Sequence, residues 1–90
     1  MSFETVHNFY ERLVEESLNT LIVDPDSTFT EEQFEDVACL ALNKLPPHYI
    51  KHDVDVLFYV SEQEQGDMRE KTITAIKEAL AFVRQHPREE

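Results

Sequence analysis

The chain of 90 residues has one glycine, one cysteine and no tryptophan. Because glycine supplies the left-handed conformations that tight turns need, its scarcity favours long helices joined by few turns. The single cysteine, Cys39, excludes an internal disulfide, and its place in an apolar run predicts a small buried side chain. No stretch approaches the ~20 apolar residues of a membrane span. Glu4 and the lack of an apolar core near the N-terminus argue against a secretion signal, so we expect a protein of the reducing cytoplasm.

Basic residues are also scarce: 8 lysines and arginines stand against 19 acidic residues, for a net charge of -11. Such acidity repels a phosphodiester backbone and an anionic membrane, so we expect no DNA or RNA partner and no membrane binding. The charge is unevenly distributed along the chain. Residues 37–52 contain no acid, but they carry Lys44, His48, Lys51 and His52. This acid-free segment is where we expect a small anion to bind.

Apolar residues at three- and four-residue spacing predict three long helices. Thr30 followed by Gln33 resembles a capping box at the start of the second helix. The pair Pro46-Pro47 ends that helix, because proline lacks a backbone donor and pushes the residue before it out of the helical region. The predicted helices cover about residues 2–22, 31–43 and 62–85.

Two features of the second half leave the local structure open. The third helix has two alternative starts, because the Ser61-x-x-Glu64 and Asp67-x-x-Glu70 sequences both match a capping box. Residues 54–60 alternate in part with period two and are rich in valine, phenylalanine and tyrosine, which favours a short strand.

The length allows one domain, residues 1–90, with a thin core. Residues 37–42 are apolar without a break, and a helix that is apolar on every side is expected to be buried on every side. One copy of so short a chain offers little cover for such a helix, so we expect a homodimer. The predicted fold is mainly α: a compact domain of three to four helices, dimeric, with a short extended segment or strand near residues 54–60.

Two groups of side chains have spacings that are found in metal-binding sites. Residues 24–35 place oxygens at the calcium-ligating positions of an EF-hand loop, but Phe29 stands where that loop needs glycine. His48 and His52 have a zinc-like spacing for a helix, but the preceding prolines argue against a helix there. We therefore expect no metal and no cofactor. No nucleophile has a recognisable base, and Gly66 alone cannot form a phosphate loop, so we expect no enzyme.

Three stretches of the sequence resemble the late competence development protein ComFB family. The most specific is DVACLALNKLPPHY, residues 36–49. The opening VHNFYERLV, residues 6–14, is similar to the first helix of that family. The ending AIKEALAFVRQHPR, residues 75–88, is similar to its last helix. Together these stretches extend the resemblance over nearly the whole chain.

The resemblance implies a mostly helical domain that forms homodimers and acts as a receptor for a cyclic dinucleotide, cyclic di-GMP or cyclic di-AMP. Members are linked to motility, type IV pili and natural competence, and such a receptor passes its signal to a protein effector. Some members hold zinc through cysteines between the first two helices. Residues 23–30 of this chain contain no cysteine, so we expect no structural zinc here.

A cyclic dinucleotide needs a cation for each phosphate, a flat side chain to stack on each base and an amide to read the base edge. The acid-free segment offers Lys44 and Lys51 for the first role, Tyr49 for the second and Asn43 for the third. The resemblance adds two residues of the first helix and one near the C-terminus. The predicted ligand-binding residues are Asn8, Glu11, Asn43, Lys44, Tyr49, Lys51 and Arg88.

The alternative function is a protein-interaction adaptor with no nucleotide ligand. A receptor requires the basic groups near Asn43 to converge in space, whereas an adaptor allows them to be scattered.

Overall fold

The computed structural model describes residues 1, 4–22 and 28–86. This part of the chain is mainly helical, as predicted, with four helices and one small antiparallel sheet. None of its helices combines the length and the apolarity that crossing a membrane requires. In chain order the elements are β1 (His7–Asn8), α1 (Phe9–Ile22), α2 (Glu31–Lys44), β2 (Tyr49–Ile50), α3 (Asp55–Tyr59) and α4 (Glu62–Gln85).

The start of α1 differs from the predicted start near residue 2. Residues 7 and 8 are paired with β2 in an antiparallel sheet, and the helix begins only at Phe9. Asn8 explains the change of conformation. Its side-chain oxygen accepts a hydrogen bond from the Tyr10 backbone N–H at 3.2 Å, and its own N–H donates to Glu11 Oε2 at 3.1 Å. This reciprocal cap makes Asn8 the natural helix start.

The boundaries of α2 follow local signals that the sequence contains. The Thr30 hydroxyl accepts from the Gln33 N–H at 3.1 Å, and the Gln33 side chain accepts from the Thr30 N–H at 2.7 Å. The predicted capping box is therefore confirmed. At the other end Leu45 is extended, with φ -89° and ψ 139°, directly before the double proline. The helix stop is confirmed as well.

The strand predicted for residues 54–60 is wrong, because this segment contains the short helix α3. Asp55 helps to start the turn: its carboxylate accepts from the His52 N–H at 3.3 Å, and its own N–H donates to the His52 carbonyl at 2.9 Å. The buried residues of the segment are Val56 and Val60, which are four apart. That spacing places both on one face of a helical turn, so helical periodicity prevails over the β propensity of the residue types.

The long helix α4 begins at Glu62, the first of the two alternative starts. The Ser61 hydroxyl accepts from the Glu64 N–H at 3.1 Å and caps the helix, and Gly66 lies inside it. The 24 residues end at Gln85, as predicted. Six residues of α4 are buried: Met68, Thr72, Ala75, Ile76, Ala79 and Val83.

The core lies where α2 and α1 pack against α4. Ala41 of α2 and Ala79 of α4 have no exposed surface, and such small side chains allow helices to approach closely. α1 supplies the remaining cover through four buried residues: Tyr10, Leu13, Val14 and Leu18. The fold thus places the C-terminal end of α2 and the turn after it at the edge of the three-helix core.

In the single chain the apolar run of α2 is buried on one side only. Val37 and Ala41 are buried, whereas Leu40 and Leu42 are half-buried and Cys39 is exposed. Residues four apart share one face of a helix, so only that face meets the core. The prediction of a buried Cys39 is therefore wrong for one copy, and the homodimer stays a prediction.

Candidate ligand-binding surface

The specific motif of residues 36–49 forms the end of α2, the double-proline turn and β2. We call residues 43–50 the ledge. Its backbone is fixed to the start of α1, because the Phe9 N–H donates to the His48 carbonyl at 2.7 Å and the Asn8 side chain accepts from the His48 N–H at 2.9 Å. Inward-facing Leu45 is buried. The ledge is therefore a supported surface segment and not a free loop.

Two of the predicted ligand residues, Asn8 and Glu11, serve as supports of the ledge. The side-chain oxygen of Asn8 accepts from both Tyr10 and His48, and a carboxylate oxygen of Glu11 accepts from the Asn8 N–H. A carbonyl oxygen has two lone pairs, so the Asn8 oxygen has none left for a ligand. The side-chain oxygen of Asn8 thus supports the ledge, whereas its amide nitrogen makes no hydrogen bond to another described residue and keeps its two donors. The role of Asn8 as a ligand residue stays a prediction.

Three predicted ligand residues are exposed on or beside the ledge: Asn43, Tyr49 and Lys51. Tyr49 keeps 66% of its surface exposed. Within residues 4–22 and 28–86, none of the three side chains makes a hydrogen bond or an ion pair. Their polar groups are therefore available to a ligand without loss of an internal contact.

Lys44 has a partner that the sequence pattern does not indicate. Its Nζ lies 3.2 Å from Oε2 of Glu78 on α4. The two side chains face a cleft of about 550 Å³ between the end of α2 and α4, which Asp67, Glu70 and Lys71 also line. The acid-free segment is thus acid-free only along the chain, because α4 brings three carboxylates to it. A phosphate at Lys44 either replaces Glu78 or uses the two donors of the ammonium that Glu78 leaves free.

A second cleft, of about 270 Å³, lies on the other side of the double proline. Tyr10, His48 and Lys71 are among its lining residues, and Pro46 and Lys71 line both clefts. Lys71 is exposed and has no ion pair with another described residue. Sequence reasoning missed this cation because it is far from the motif along the chain, and only the packing of α2 on α4 brings it near Lys44.

Some predicted site residues lie outside the described part of the chain. Arg88, the predicted C-terminal contact, is one of them. Asp24 and Asp26, which belong to the calcium alternative, are two more. Within the described ranges, no group of three or more histidine, cysteine, aspartate or glutamate side chains is placed to hold a metal ion.

A charged cluster that sequence reasoning missed joins the start of α1 to the segment before α3. Asp53 Oδ1 lies 2.7 Å from His7 Nε2, and Asp53 Oδ2 lies 2.7 Å from Arg12 Nη1. The hydrogen bond to Asp53 raises the pKa of His7, and the hydrogen bonds to His7 and Arg12 lower the pKa of Asp53. Arg12 also pairs with Glu16 at 3.0 Å. The cluster holds the chain that leads into α3 against α1.

Taken together, the fold is a small, mainly helical domain in which a two-stranded pair supports an exposed, motif-bearing ledge. The profile of the family described as late competence development protein ComFB matches residues 7–87, which include every helix and strand of the described residues, and the chain belongs to this family. The family indicates a competence-related function. No curated protein and no solved structure matches the chain.

Proposed function

We propose that this protein is a cytoplasmic receptor for a cyclic dinucleotide, cyclic di-GMP or cyclic di-AMP, and signals to protein partners in motility, type IV pili or competence regulation. One observation carries the proposal: Asn43, Tyr49 and Lys51 are exposed and unpartnered within the described chain, on or beside a ledge whose backbone is fixed. Rigid, unoccupied polar and aromatic groups suit a ligand, because little ordering accompanies binding. Membership of the ComFB family supports the same conclusion.

The ion pair of Lys44 with Glu78 is compatible with a phosphate ligand. Both side chains are about half exposed, at 50% and 55%. An exposed pair of this kind contributes about 0–1 kcal/mol, so a phosphate that replaces Glu78 loses little. The neighbouring carboxylates of Asp67 and Glu70 repel an anion, however. We therefore expect a dissociation constant near micromolar, about -8 kcal/mol.

Homodimerisation is the second part of the proposal. A cyclic dinucleotide is close to two-fold symmetric, so the same groups from two copies suit its two halves. The exposed Cys39 and the half-buried Leu40 and Leu42 leave apolar surface of α2 for a second copy. Light scattering after gel filtration at micromolar concentration should give the dimer mass. A monomer mass at every concentration refutes this part.

Isothermal titration calorimetry with both cyclic dinucleotides tests the receptor. Lys44→Ala should weaken binding by roughly 1.5–3 kcal/mol, the range for a hydrogen bond to a charged group. Tyr49→Ala should weaken it by about 1–3 kcal/mol through loss of base stacking. Lys77→Ala is the matched control, because Lys77 is an exposed lysine of α4 that lines neither cleft beside the ledge. It should bind like the wild type.

Glu78→Gln tests most directly whether a phosphate of the ligand binds Lys44. It removes the carboxylate that competes for Lys44 and a negative charge from the cleft. If a phosphate binds Lys44, affinity should rise by up to about fivefold, the equivalent of an exposed ion pair. Unchanged affinity in both Glu78→Gln and Lys44→Ala excludes Lys44 from the site. Absence of heat from either nucleotide at high micromolar concentration refutes the receptor.

A specific observation also favours the adaptor as a second candidate. α3 exposes three large apolar side chains in succession, Leu57 at 70%, Phe58 at 77% and Tyr59 at 84%. Neighbouring apolar side chains on a surface are typical of protein interaction sites. An adaptor should bind a protein through such a surface with the same affinity in the presence and absence of a cyclic dinucleotide.

A further inference from the structure

The two clefts beside the double proline differ in size and share part of their lining. We call the one of about 550 Å³ the larger cleft and the one of about 270 Å³ the smaller cleft. Clefts that hold a whole drug-sized ligand measure roughly 300–1,000 Å³, so the smaller cleft suits one part of a larger ligand. Pro46, Asp67 and Lys71 line both clefts. A ligand that occupies both clefts therefore contacts these three residues.

The smaller cleft has apolar walls that suit a flat ring. Pro46 and Pro47 of the ledge line it, together with Val60 and Met68, which are buried. The Val60 carbonyl accepts a hydrogen bond from Gln65 Nε2 at 3.0 Å, and the ledge backbone is bonded to the start of α1. A ring that enters the smaller cleft thus meets apolar surface that is already held in place, which lowers the ordering cost of binding.

The polar side chains of the smaller cleft are richer in acceptors than in cations. Asp67 and Glu64 supply two carboxylates, and Lys71 supplies one ammonium. All three are exposed, and none of the three side chains makes a hydrogen bond or an ion pair with a described residue. Asp67 and Lys71 are four residues apart on α4, so they project from the same face of the helix. The smaller cleft is therefore poorly suited to a phosphate and well suited to a group that mainly donates hydrogen bonds.

The bases of the two candidate ligands differ in how well they match these side chains. The Watson–Crick edge of guanine has two adjacent donors, N1–H and N2–H, and one acceptor, O6, whereas that of adenine has a single donor, N6–H, beside the acceptor N1. A carboxylate only accepts hydrogen bonds, so its two oxygens match both guanine donors, but the lone pair of adenine N1 repels it. An ammonium beside that carboxylate can donate to O6. Asn43 both donates and accepts, so it suits either base.

We propose that Asp67 selects the base of the ligand: its carboxylate accepts the two donors of a guanine edge in the smaller cleft, and Lys71 donates to the guanine O6. The protein therefore binds cyclic di-GMP in preference to cyclic di-AMP. This inference rests on the proposed receptor function, which leaves the base open. The neighbouring phosphate lies toward Lys44, which lines the larger cleft but not the smaller one. The carboxylate of Asp67 thus weakens phosphate binding but adds selectivity for the base.

Isothermal titration calorimetry of the full chain with both cyclic dinucleotides tests this selection. Wild type should bind cyclic di-GMP about tenfold more tightly than cyclic di-AMP, the low end of the effect of a hydrogen bond to a charged group, because Asp67 is exposed. Asp67→Asn should lose most of this preference, since an amide accepts from adenine N6–H and donates to N1. Its affinity for cyclic di-GMP should fall, and its affinity for cyclic di-AMP should stay the same or rise.

Glu15→Gln is the matched control, because Glu15 is an exposed carboxylate of α1 that lines neither cleft. It changes the net charge by the same amount as Asp67→Asn, so it reports the long-range effect of charge on an anionic ligand. Glu15→Gln should keep the wild-type preference. The proposal is overturned if wild type binds cyclic di-AMP as tightly as cyclic di-GMP or more tightly. It is also overturned if Asp67→Asn keeps the wild-type preference, which is the result expected when Asp67 has only a structural role.

Mononucleotides separate this inference from the proposed function. If neither cyclic dinucleotide gives heat, the receptor is refuted, and 5′-GMP and 5′-AMP at millimolar concentration then probe the smaller cleft alone. In NMR spectra of the labelled protein, 5′-GMP should shift the amide signals of Met68 and Lys71 in wild type but not in Asp67→Asn, and 5′-AMP should shift neither. This result supports a guanine site in the absence of the receptor function. Equal shifts from the two nucleotides, or no shift from either, overturn the guanine site as well.

Discussion

Replacement of Asn8 by alanine tests how the ledge is held in place. The amide oxygen of Asn8 accepts two backbone hydrogen bonds, from Tyr10 at 3.2 Å in the first turn of α1 and from His48 at 2.9 Å in the ledge. Alanine removes both acceptors with one substitution. We therefore expect the start of α1 to fray and the ledge to loosen together.

The expected loss of stability follows from these two hydrogen bonds. Replacing an asparagine N-cap by alanine costs typically about 1 kcal/mol. The His48 N–H loses its acceptor, which costs about 1 kcal/mol more, the low end of the range for an unsatisfied group, because His48 is only half-buried. The sum is about 2 kcal/mol in the free energy of unfolding. For a domain of this size that lowers the melting temperature by roughly 8–16 °C.

Urea unfolding followed by far-ultraviolet circular dichroism measures this loss. Asn8→Asp keeps a side-chain acceptor at the same position and should stay within about 0.5 kcal/mol of the wild type. Asn19→Ala is the matched control, because Asn19 is an exposed asparagine in the body of α1. It should be neutral or stabilising by up to about 0.5 kcal/mol, since alanine is the better helix former.

Hydrogen exchange provides a second readout that is specific to the ledge. The amide of His48 should exchange faster in Asn8→Ala than in the wild type, and at the wild-type rate in Asn19→Ala. If Asn8→Ala unfolds at the same urea concentration as Asn19→Ala and the His48 amide keeps its protection, Asn8 does not support the ledge.

Three further predictions concern single side chains elsewhere in the fold. Cys39 is exposed in the single chain, so dithionitrobenzoate should modify it in the monomer nearly as fast as in the urea-unfolded chain, and more slowly in the dimer that we propose to form through α2. An equal rate in monomer and dimer places Cys39 outside the interface. The hydrogen bond to Asp53 raises the pKa of His7 above its ordinary value of 6.5. The stabilisation from this pair is therefore complete below that value and lost as pH rises through the raised pKa. The urea concentration at the unfolding midpoint should decrease as the pH rises from about 6 to about 8. A decrease of equal size in His7→Gln contradicts this explanation. Thr30→Ala should lower the free energy of unfolding by about 1 kcal/mol, because it removes the capping box of α2. Thr28→Ala, at an exposed threonine before the helix, should leave the free energy of unfolding almost unchanged. Equal losses in the two variants would exclude the cap as the cause.

The sequence pattern predicted part of the candidate site. The motif of residues 36–49 indicated an exposed segment after a helix stop, and Asn43 and Tyr49 are exposed there. It did not predict that Lys44 pairs with Glu78, or that Lys71 joins it in one cleft. These residues of α4 are distant in sequence, and no local periodicity reports which helix faces meet.

The amino-acid sequence by itself determined both ends of α2, and for the start of α4 it offered two signals, of which the structure uses Ser61. Thr30 and Ser61 provide oxygen acceptors for the first free N–H groups of their helices, and Pro46-Pro47 cannot continue a helix. These effects act within a few residues, so a local sequence pattern reports them. The spacing of apolar residues indicated part of the buried face of α4, namely Ala75, Ile76, Ala79 and Val83.

Only the tertiary structure decided the conformations of residues 7–8 and 54–60. The first pair forms a strand because β2 lies beside it, and the second segment becomes helical because Val56 and Val60 reach the core together. The environment of Cys39 was decided in the same way, since six apolar residues in a row do not reveal which side of α2 meets α4. In each case the deciding contact joins segments far apart in the chain, and its free energy exceeds the small local preferences that a sequence pattern records.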